Sequence, residues 1–226
     1  MLTSFLQSDP ALAALSFGWI VLVILVGESI RRLWSLPADV LRKIVHVAVA
    51  AWALPTALFF HDPWWAALCP AVFIVLNALS YRFRLMDLIE EEGEGSPGTI
   101  YFPISFSLLI LVLWPLGGRA ATVAGLFAMG FGDAAASVVG RRLGRHRYRV
   151  GGGTKSWEGT AVMAAVSFVA ILVGTYPLLW RPAWVPAAAA AAVAAAVEAP
   201  AGRGLDNLSV PLASGATFLA VQRLLG

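Results

Sequence analysis

Eight apolar stretches run through the chain, at roughly 11–30, 44–60, 63–80, 102–117, 119–139, 158–180, 184–199 and 209–225. A hydrocarbon core about 30 Å thick requires about 20 apolar residues per helical crossing. Backbone polar groups in lipid must be satisfied internally, so stretches of this kind fold as helices. The pattern predicts an all-α, polytopic transmembrane helical bundle of seven to eight spans, the fourth, seventh and eighth stretches being short or broken. Composition agrees, since 59% of the 226 residues are hydrophobic and only 13% charged, against about 25% charged in a soluble domain. The connecting segments leave no room for a soluble domain, so residues 1–226 read as one integral-membrane domain. The first stretch lacks a basic n-region and is too long for a signal-peptide core, so it reads as a retained helix. The alanine-rich run from Ala187 to Ala199 is low in complexity yet helical in character, because small residues let helices pack closely in lipid. Cys69, the single cysteine, sits in an apolar run and reads as a buried thiol.

Charge sets the orientation. Alternate connections carry Arg31, Arg32, Arg42 and Lys43; then Arg82 and Arg84; then Arg141, Arg142, Arg145, Arg147, Arg149 and Lys155; then Arg203. That is thirteen basic residues on one side, against Arg119, Arg181 and Arg223 on the other. The positive-inside rule puts the rich side in the cytoplasm and both termini outside. The excess of basic residues therefore belongs to cytoplasmic loops, and no nucleic-acid partner is expected. Fourteen of the sixteen basic residues are arginine, so Lys43 and Lys155 stand out. A compact ammonium on a flexible stem is something arginine does not imitate. High alanine and arginine with scarce lysine point to a prokaryotic genome and hence to the plasma membrane.

Three polar clusters fall on the cytoplasmic side. The first runs from Gly130 to Gly159. If the fifth stretch stays helical to its end, Asp133, Ser137, Gly140 and Gly144 share one face. An ionisable residue at a membrane helix end faces a cavity, a metal or a partner. The arginine-rich loop that follows suits a polyphosphate, and Gly151 to Gly153 permit close backbone approach. Lys155 and Ser156 then precede the sixth helix, whose N-terminus offers N–H groups to an anion. Glu158 lies in its first turn, where it could cap the helix or hold a cation. A positive-inside loop with a capped helix explains the arginines, but a lysine at a helix start is disfavoured unless an anion joins it. Gly-Gly-Gly-Thr-Lys-Ser is not a phosphate-binding P-loop, because threonine precedes the lysine and no strand is expected there.

The second cluster is Arg42 and Lys43 at the start of the second helix, with His46 on their face. The cations can clamp a phosphate, and His46 can donate a hydrogen bond, act as a base or anchor a substrate. The third comprises Glu198, ending the seventh stretch, and Asp206 and Asn207, preceding the eighth. These offer oxygen donors for Mg²⁺ opposite Asp133, an ion that favours carboxylates, water and substrate phosphates. Helix capping is the plain alternative for Asp206 and Asn207. The acidic run from Glu90 reads as a solvated loop, with Thr99 and Tyr101 able to line the site. His61, Asp62 and the nearby tryptophans read as interfacial anchors on the outer side.

Four motifs in order resemble the family of phytol kinases, dolichol kinases and CTP-dependent diacylglycerol kinases. They are Arg42-Lys43-x-x-His46; Gly132-Asp133-x-x-Ala136-x-x-x-Gly140-x-x-x-Gly144; Lys155-Ser156-x-Glu158-Gly159; and Asp206-Asn207-x-x-x-Pro211. The resemblance spans residues about 40 to 215. It implies transfer of a phosphate from CTP, or another nucleoside triphosphate, to a lipid alcohol with Mg²⁺. Implied acceptors are phytol, geranylgeraniol, a polyprenol or diacylglycerol. On this reading Asp133, Lys155 and His46 are catalytic, and Asp133, Glu158, Glu198 and Asp206 hold the metal. Arg42, Lys43, Gly140, Gly144, Arg145, Arg147, Ser156, Gly159 and Asn207 hold the nucleotide phosphates. Either His46 or Asp133 takes the hydroxyl proton. Phosphatidate cytidylyltransferases share the Gly-Asp…Lys-x-Trp-Glu-Gly core, but their longer C-terminal aspartate motif is not reproduced by Gly204-Leu205-Asp206-Asn207. A transporter would place its polar residues near the midplane and show internal repeats, whereas here they gather at one face.

Overall fold

The computed structural model describes residues 8–35, 38–83, 98–150, 153–202 and 204–226. Arg84, the acidic run 90–97, Gly151, Gly152 and Arg203 lie outside the described residues. The helices are α1 (Asp9–Leu33), α2 (Ala38–Ala51), α3 (Ala53–Phe59), α4 (Pro63–Phe83), α5 (Gly98–Leu108), α6 (Arg119–Phe127), α7 (Ala134–Leu143), α8 (Trp157–Leu179), α9 (Trp184–Glu198) and α10 (Asp206–Leu224). Three of the expected stretches are each built from more than one piece. α2 runs into α3 at Trp52, α5 continues through a π-turn over Leu109–Leu113, and α6 reaches α7 through a π-turn over Ala128–Asp133. All eight apolar stretches are therefore helical. Among the described residues, six rods are long and apolar enough to cross a membrane, and α9 is a shorter apolar helix. The chain is an integral membrane protein with the all-helical bundle its hydropathy predicts.

α6 is the axis of the bundle, with every residue from Ala120 to Phe127 buried. α8 and α10 pack against it, and α9 packs against both of them. Small residues make this possible. A Cβ on Gly125 would collide with the Pro211 carbonyl on α10, and one on Gly130 with Ala50 on α2. Ala187, Ala190, Ala191, Ala194 and Ala195 turn the alanine-rich stretch into the buried face of α9. Close backbone approach is how helices gain packing energy in lipid, where apolar burial alone favours no partner.

Two expectations need correction. Between α7 and α8 the chain forms an antiparallel hairpin of β1 (Arg147–Val150) and β2 (Gly153–Ser156), pairing Arg147 with Ser156 and Tyr148 with Lys155. A strand thus precedes Lys155, where none was expected. The P-loop reading still fails, because the strand belongs to a two-stranded hairpin and Thr154 stands before the lysine. Asp206 and Asn207 also do not precede the eighth helix, since they form its first turn.

Candidate active site

The helices bring their polar ends together. The start of α2, the start of α5, the π-turn into α7, the hairpin, the start of α8, the end of α9 and the start of α10 surround a cavity of about 480 Å³. Its lining includes Arg42, Lys43 and His46 from α2 and Asp133, Ser137, Gly140 and Arg141 from the α6–α7 rod. The hairpin and α8 add Arg147, Thr154, Lys155, Ser156 and Gly159, and the α9–α10 turn adds Glu198, Gly204, Asp206 and Asn207. Asp133, Lys155 and Asp206, far apart in sequence, therefore face one space. Gly204 holds φ at 75° in the turn that swings α10 back to the cavity, a conformation glycine adopts without steric cost.

The π-turn places Asp133. Its extra residue per turn rotates the rod at Ala128–Asp133, and such bulges concentrate at functional sites. Gly132 allows this rotation, since a Cβ there would strike Ser167 and Met163 of α8. No hydrogen bond engages the Asp133 carboxylate among the described residues. Lys155 is anchored at the cavity edge. Its Nζ donates to Glu198 Oε1 at 2.5 Å and to the Glu198 backbone carbonyl. Only 9% of the Glu198 side chain and 24% of that of Lys155 is exposed, so the pair is shielded enough to fix the ammonium in place. Ser156 is the N-cap of α8, its hydroxyl accepting from Gly159 N at 3.1 Å. That bond satisfies one of the orphan donors of the helix start.

Several predicted site residues sit elsewhere. Glu158 is turned out of the cavity and held by His146, whose backbone N donates to Oε1 at 3.2 Å and whose Nδ1 lies 2.7 Å from the same oxygen. The hairpin carries His146 back over the first turn of α8, and this draws Glu158 away from the other carboxylates. Arg145 does not line the cavity, whereas Arg147 and Arg141 do. Gly144 caps α7 against Ser156, and a Cβ there would meet Ser156 Cβ at 2.7 Å. Gly140 and Gly159 do reach the cavity, but a Cβ on Gly159 would lie 3.1 Å from the Ala136 carbonyl and 3.3 Å from Gly140 Cα. These three glycines form the close crossing of α7 on α8, which sets the distance between Asp133 and Lys155. Glu198 is the counter-ion of Lys155. Tyr101 is absent from the lining, while Thr99 joins it. Arg141 and Thr154 were not singled out from the sequence. Thr154 stands in a run without alternation, and Arg141 looks like any other loop arginine.

Among the described residues, no three His, Cys, Asp or Glu side chains converge closely enough to hold a metal by themselves. The donors present are nonetheless hard oxygens: Asp133, Asp206 and the Asn207 side chain. Asn207 is 7% exposed and its Oδ1 is buried with no hydrogen-bond partner among the described residues. A buried acceptor without a partner costs about 1–3 kcal/mol, and on the cavity wall this atom can accept from a ligand or coordinate a cation. One or two carboxylates and an amide oxygen match the way Mg²⁺ is bound when substrate phosphates supply the rest.

A second cavity, of about 330 Å³, adjoins the first and shares Arg42, His46 and Thr99 with it. Its wall is apolar, with Ile20, Val45, Val49, Phe73 and Phe106 among its residues. His46 stands at the boundary, its ring 4.8 Å from that of Phe102. The polar site and the hydrocarbon-like space thus meet at one histidine.

No family model matches the chain, and no solved structure matches it. Among curated proteins, it is 36% identical over 195 residues to a phytol kinase of Synechocystis, covering 85% of this chain and 83% of that protein. It is 31% identical over 158 residues to human dolichol kinase, covering 58% of this chain but only 29% of that longer enzyme. A probable chloroplastic phytol kinase of rice is 28% identical over 225 residues. At 36% identity over most of both chains, the match to the Synechocystis enzyme shows that the chain belongs to the phytol kinase and dolichol kinase family of alcohol phosphotransferases.

Proposed function

We propose that the protein transfers the terminal phosphate of CTP to the hydroxyl of a membrane lipid alcohol, a prenol such as phytol, geranylgeraniol or a polyprenol, or else diacylglycerol. The observation that carries this reading is the junction at His46, where a cavity lined by cations and acids adjoins an apolar one. A nucleoside triphosphate fits the first and a hydrocarbon chain the second. The choice of CTP follows the resemblance in motifs. The density of basic residues around the polar cavity supports a cytoplasmic site, with both termini outside and the plasma membrane of a prokaryote as the setting.

Phosphoryl transfer demands positioning and charge neutralisation more than covalent help. Asp133 and Asp206, with Asn207 Oδ1, would hold Mg²⁺, whose charge offsets that of the triphosphate. Arg42, Lys43, Arg141 and Arg147 line the same cavity and draw the phosphates in. Lys155, steadied by Glu198, presents its ammonium to the terminal phosphoryl group. The alcohol oxygen forms a bond to the terminal phosphorus as the bond from that phosphorus to the bridging oxygen breaks, releasing CDP. The hydroxyl proton passes to His46. Of the three residues on both walls it alone has a neutral proton-accepting atom, since Arg42 is always charged and Thr99 is a poor base.

The purified protein in detergent is given CTP labelled either in the terminal phosphate or in the nucleoside, together with a panel of lipid alcohols and phosphatidate. Terminal-phosphate label in an alcohol is the expected product. Nucleoside label in phosphatidate would make the protein a cytidylyltransferase, and no lipid product with either label would refute the assignment.

A further inference from the structure

We propose that the apolar cavity is the tail pocket of the acceptor: a prenyl chain lies between α1, α2, α4 and α5, with its hydroxyl at His46. This rests on the kinase reading above and deepens it to a recognition site. Away from Arg42, His46, Ser80 and Thr99, the polar side chains of the wall are bonded within it. Trp52 Nε1 donates to Ser16 Oγ at 2.9 Å, and Ser16 donates in turn to the Leu12 carbonyl at 2.9 Å. Thr56 donates to the Trp52 carbonyl at 2.8 Å. Asn77 Nδ2 donates at 2.8 Å to the Thr99 carbonyl. Four residues after Thr99 comes Pro103, which has no N–H to offer that carbonyl. Each of these polar groups is spent within the wall. A cavity so lined stays dry and takes an apolar ligand.

Continuity with the polar site and the shape of the pocket decide the occupant. The pocket follows α2 and α3 from Leu41 and Arg42 past His46 to Thr56, and the part beyond His46 runs about 15 Å at 1.5 Å per residue. About 9 Å beyond His46 at 1.5 Å per residue, the indole of Trp52, stacked on Trp19 with centroids 5.1 Å apart and tied to Ser16, forms a rigid part of the wall. Leu76 on α4, 49% exposed, marks the side open to lipid. A tail longer than the pocket leaves past Leu76 into the bilayer. Val49, midway between His46 and Trp52, is then the residue whose size limits how much chain fits.

Two measurements test this. In Val49→Trp, the ratio of kcat/KM for a prenol of four isoprene units to that for a prenol of one falls at least about tenfold, because filling the pocket removes contacts only the longer chain makes. An unchanged ratio in a variant that melts like the parent protein overturns the pocket. Should Val49→Trp not fold, the parent protein decides. A photoreactive diazirine prenol is expected to label Ile20, Ile24 and Phe73, and unlabelled prenol is expected to compete. Label on Val169 and Val173, which face the bilayer on α8, or label that does not compete, overturns it. If the parent protein phosphorylates no alcohol, the kinase reading fails and takes the pocket with it. If it phosphorylates both prenols and the ratio does not move, the pocket alone is wrong.

Discussion

The two ends of the bundle hold their charges in opposite ways. At the end away from the cavity, Asp9 accepts from the backbone N of His61 at 3.0 Å and of Asp62 at 2.8 Å. Arg119 donates to the carbonyls of Ala57 at 2.8 Å and Phe60 at 2.7 Å, and lies 4.4 Å over the Trp114 ring. Those carbonyls end α3, and a cation there completes the helix electrostatically. Asp9 and Arg119 thus both close on backbone, although Trp114 Nε1 beside Arg119 is buried with no partner among the described residues. At the cavity end, among the described residues, the Asp133 carboxylate makes no hydrogen bond and Asn207 Oδ1 has no partner. The first arrangement stabilises the fold. The second leaves part of the polar inventory open to a ligand and sacrifices stability to do so.

The contrast is broken most sharply by exchanging the consequences of mutation. Asp133→Asn is expected to lower phosphoryl transfer by at least about a hundredfold, the scale on which a single electrostatic contact to a transition state counts, with the melting temperature of the detergent-solubilised protein unchanged. Arg119→Ala should do the reverse. It loses about 1–3 kcal/mol of stability because the carbonyls of Ala57 and Phe60 are stripped of a donor, while kcat per folded molecule is preserved. Thermal melts and active-site-normalised rates, measured together on both variants, check the pair.

Asn207→Leu sharpens the contrast further. Removing an acceptor that has no partner is expected to leave the melting temperature equal or higher, while KM for the nucleotide rises about tenfold. Gly144→Ala addresses how the site is built. Its methyl would press on Ser156, and overpacking of this kind costs ~1–3 kcal/mol. The crossing of α7 on α8 then widens, so stability and rate fall together. The smallest effect belongs to Glu158→Gln. Because Glu158 faces His146 rather than the cavity, turnover should change by less than about threefold, in contrast to the large loss expected of a metal ligand.

The bundle was legible because hydropathy runs longer than a crossing admit one solution in lipid. The clustering of Asp133, Lys155 and Asp206 was legible too. Alternate helix ends must share a face of the membrane. The hairpin escaped because each strand has only four residues. Part of its signal was present all the same: Arg147-Tyr148-Arg149-Val150 alternates polar with apolar residues ahead of a glycine pair, but Gly153-Thr154-Lys155-Ser156 has no matching alternation. Without the hairpin, nothing in the sequence places His146 beside Glu158. Gly140, Gly144 and Gly159 were read as phosphate contacts, but a glycine in a membrane helix serves close packing equally well. The apolar cavity had no sequence signal. Ile20, Val49 and Phe73 look like any lipid-facing residues until four helices are seen to leave a gap between them.

Label transfer from terminally labelled CTP to phytol, by the parent protein and by Lys155→Ala purified side by side, tests the central claim most directly. The account predicts phosphorylated phytol from the parent protein and at least about a hundredfold less from the variant, with both proteins folded and equally soluble in detergent. Undiminished transfer by Lys155→Ala, or none by the parent protein to any lipid alcohol, would contradict it.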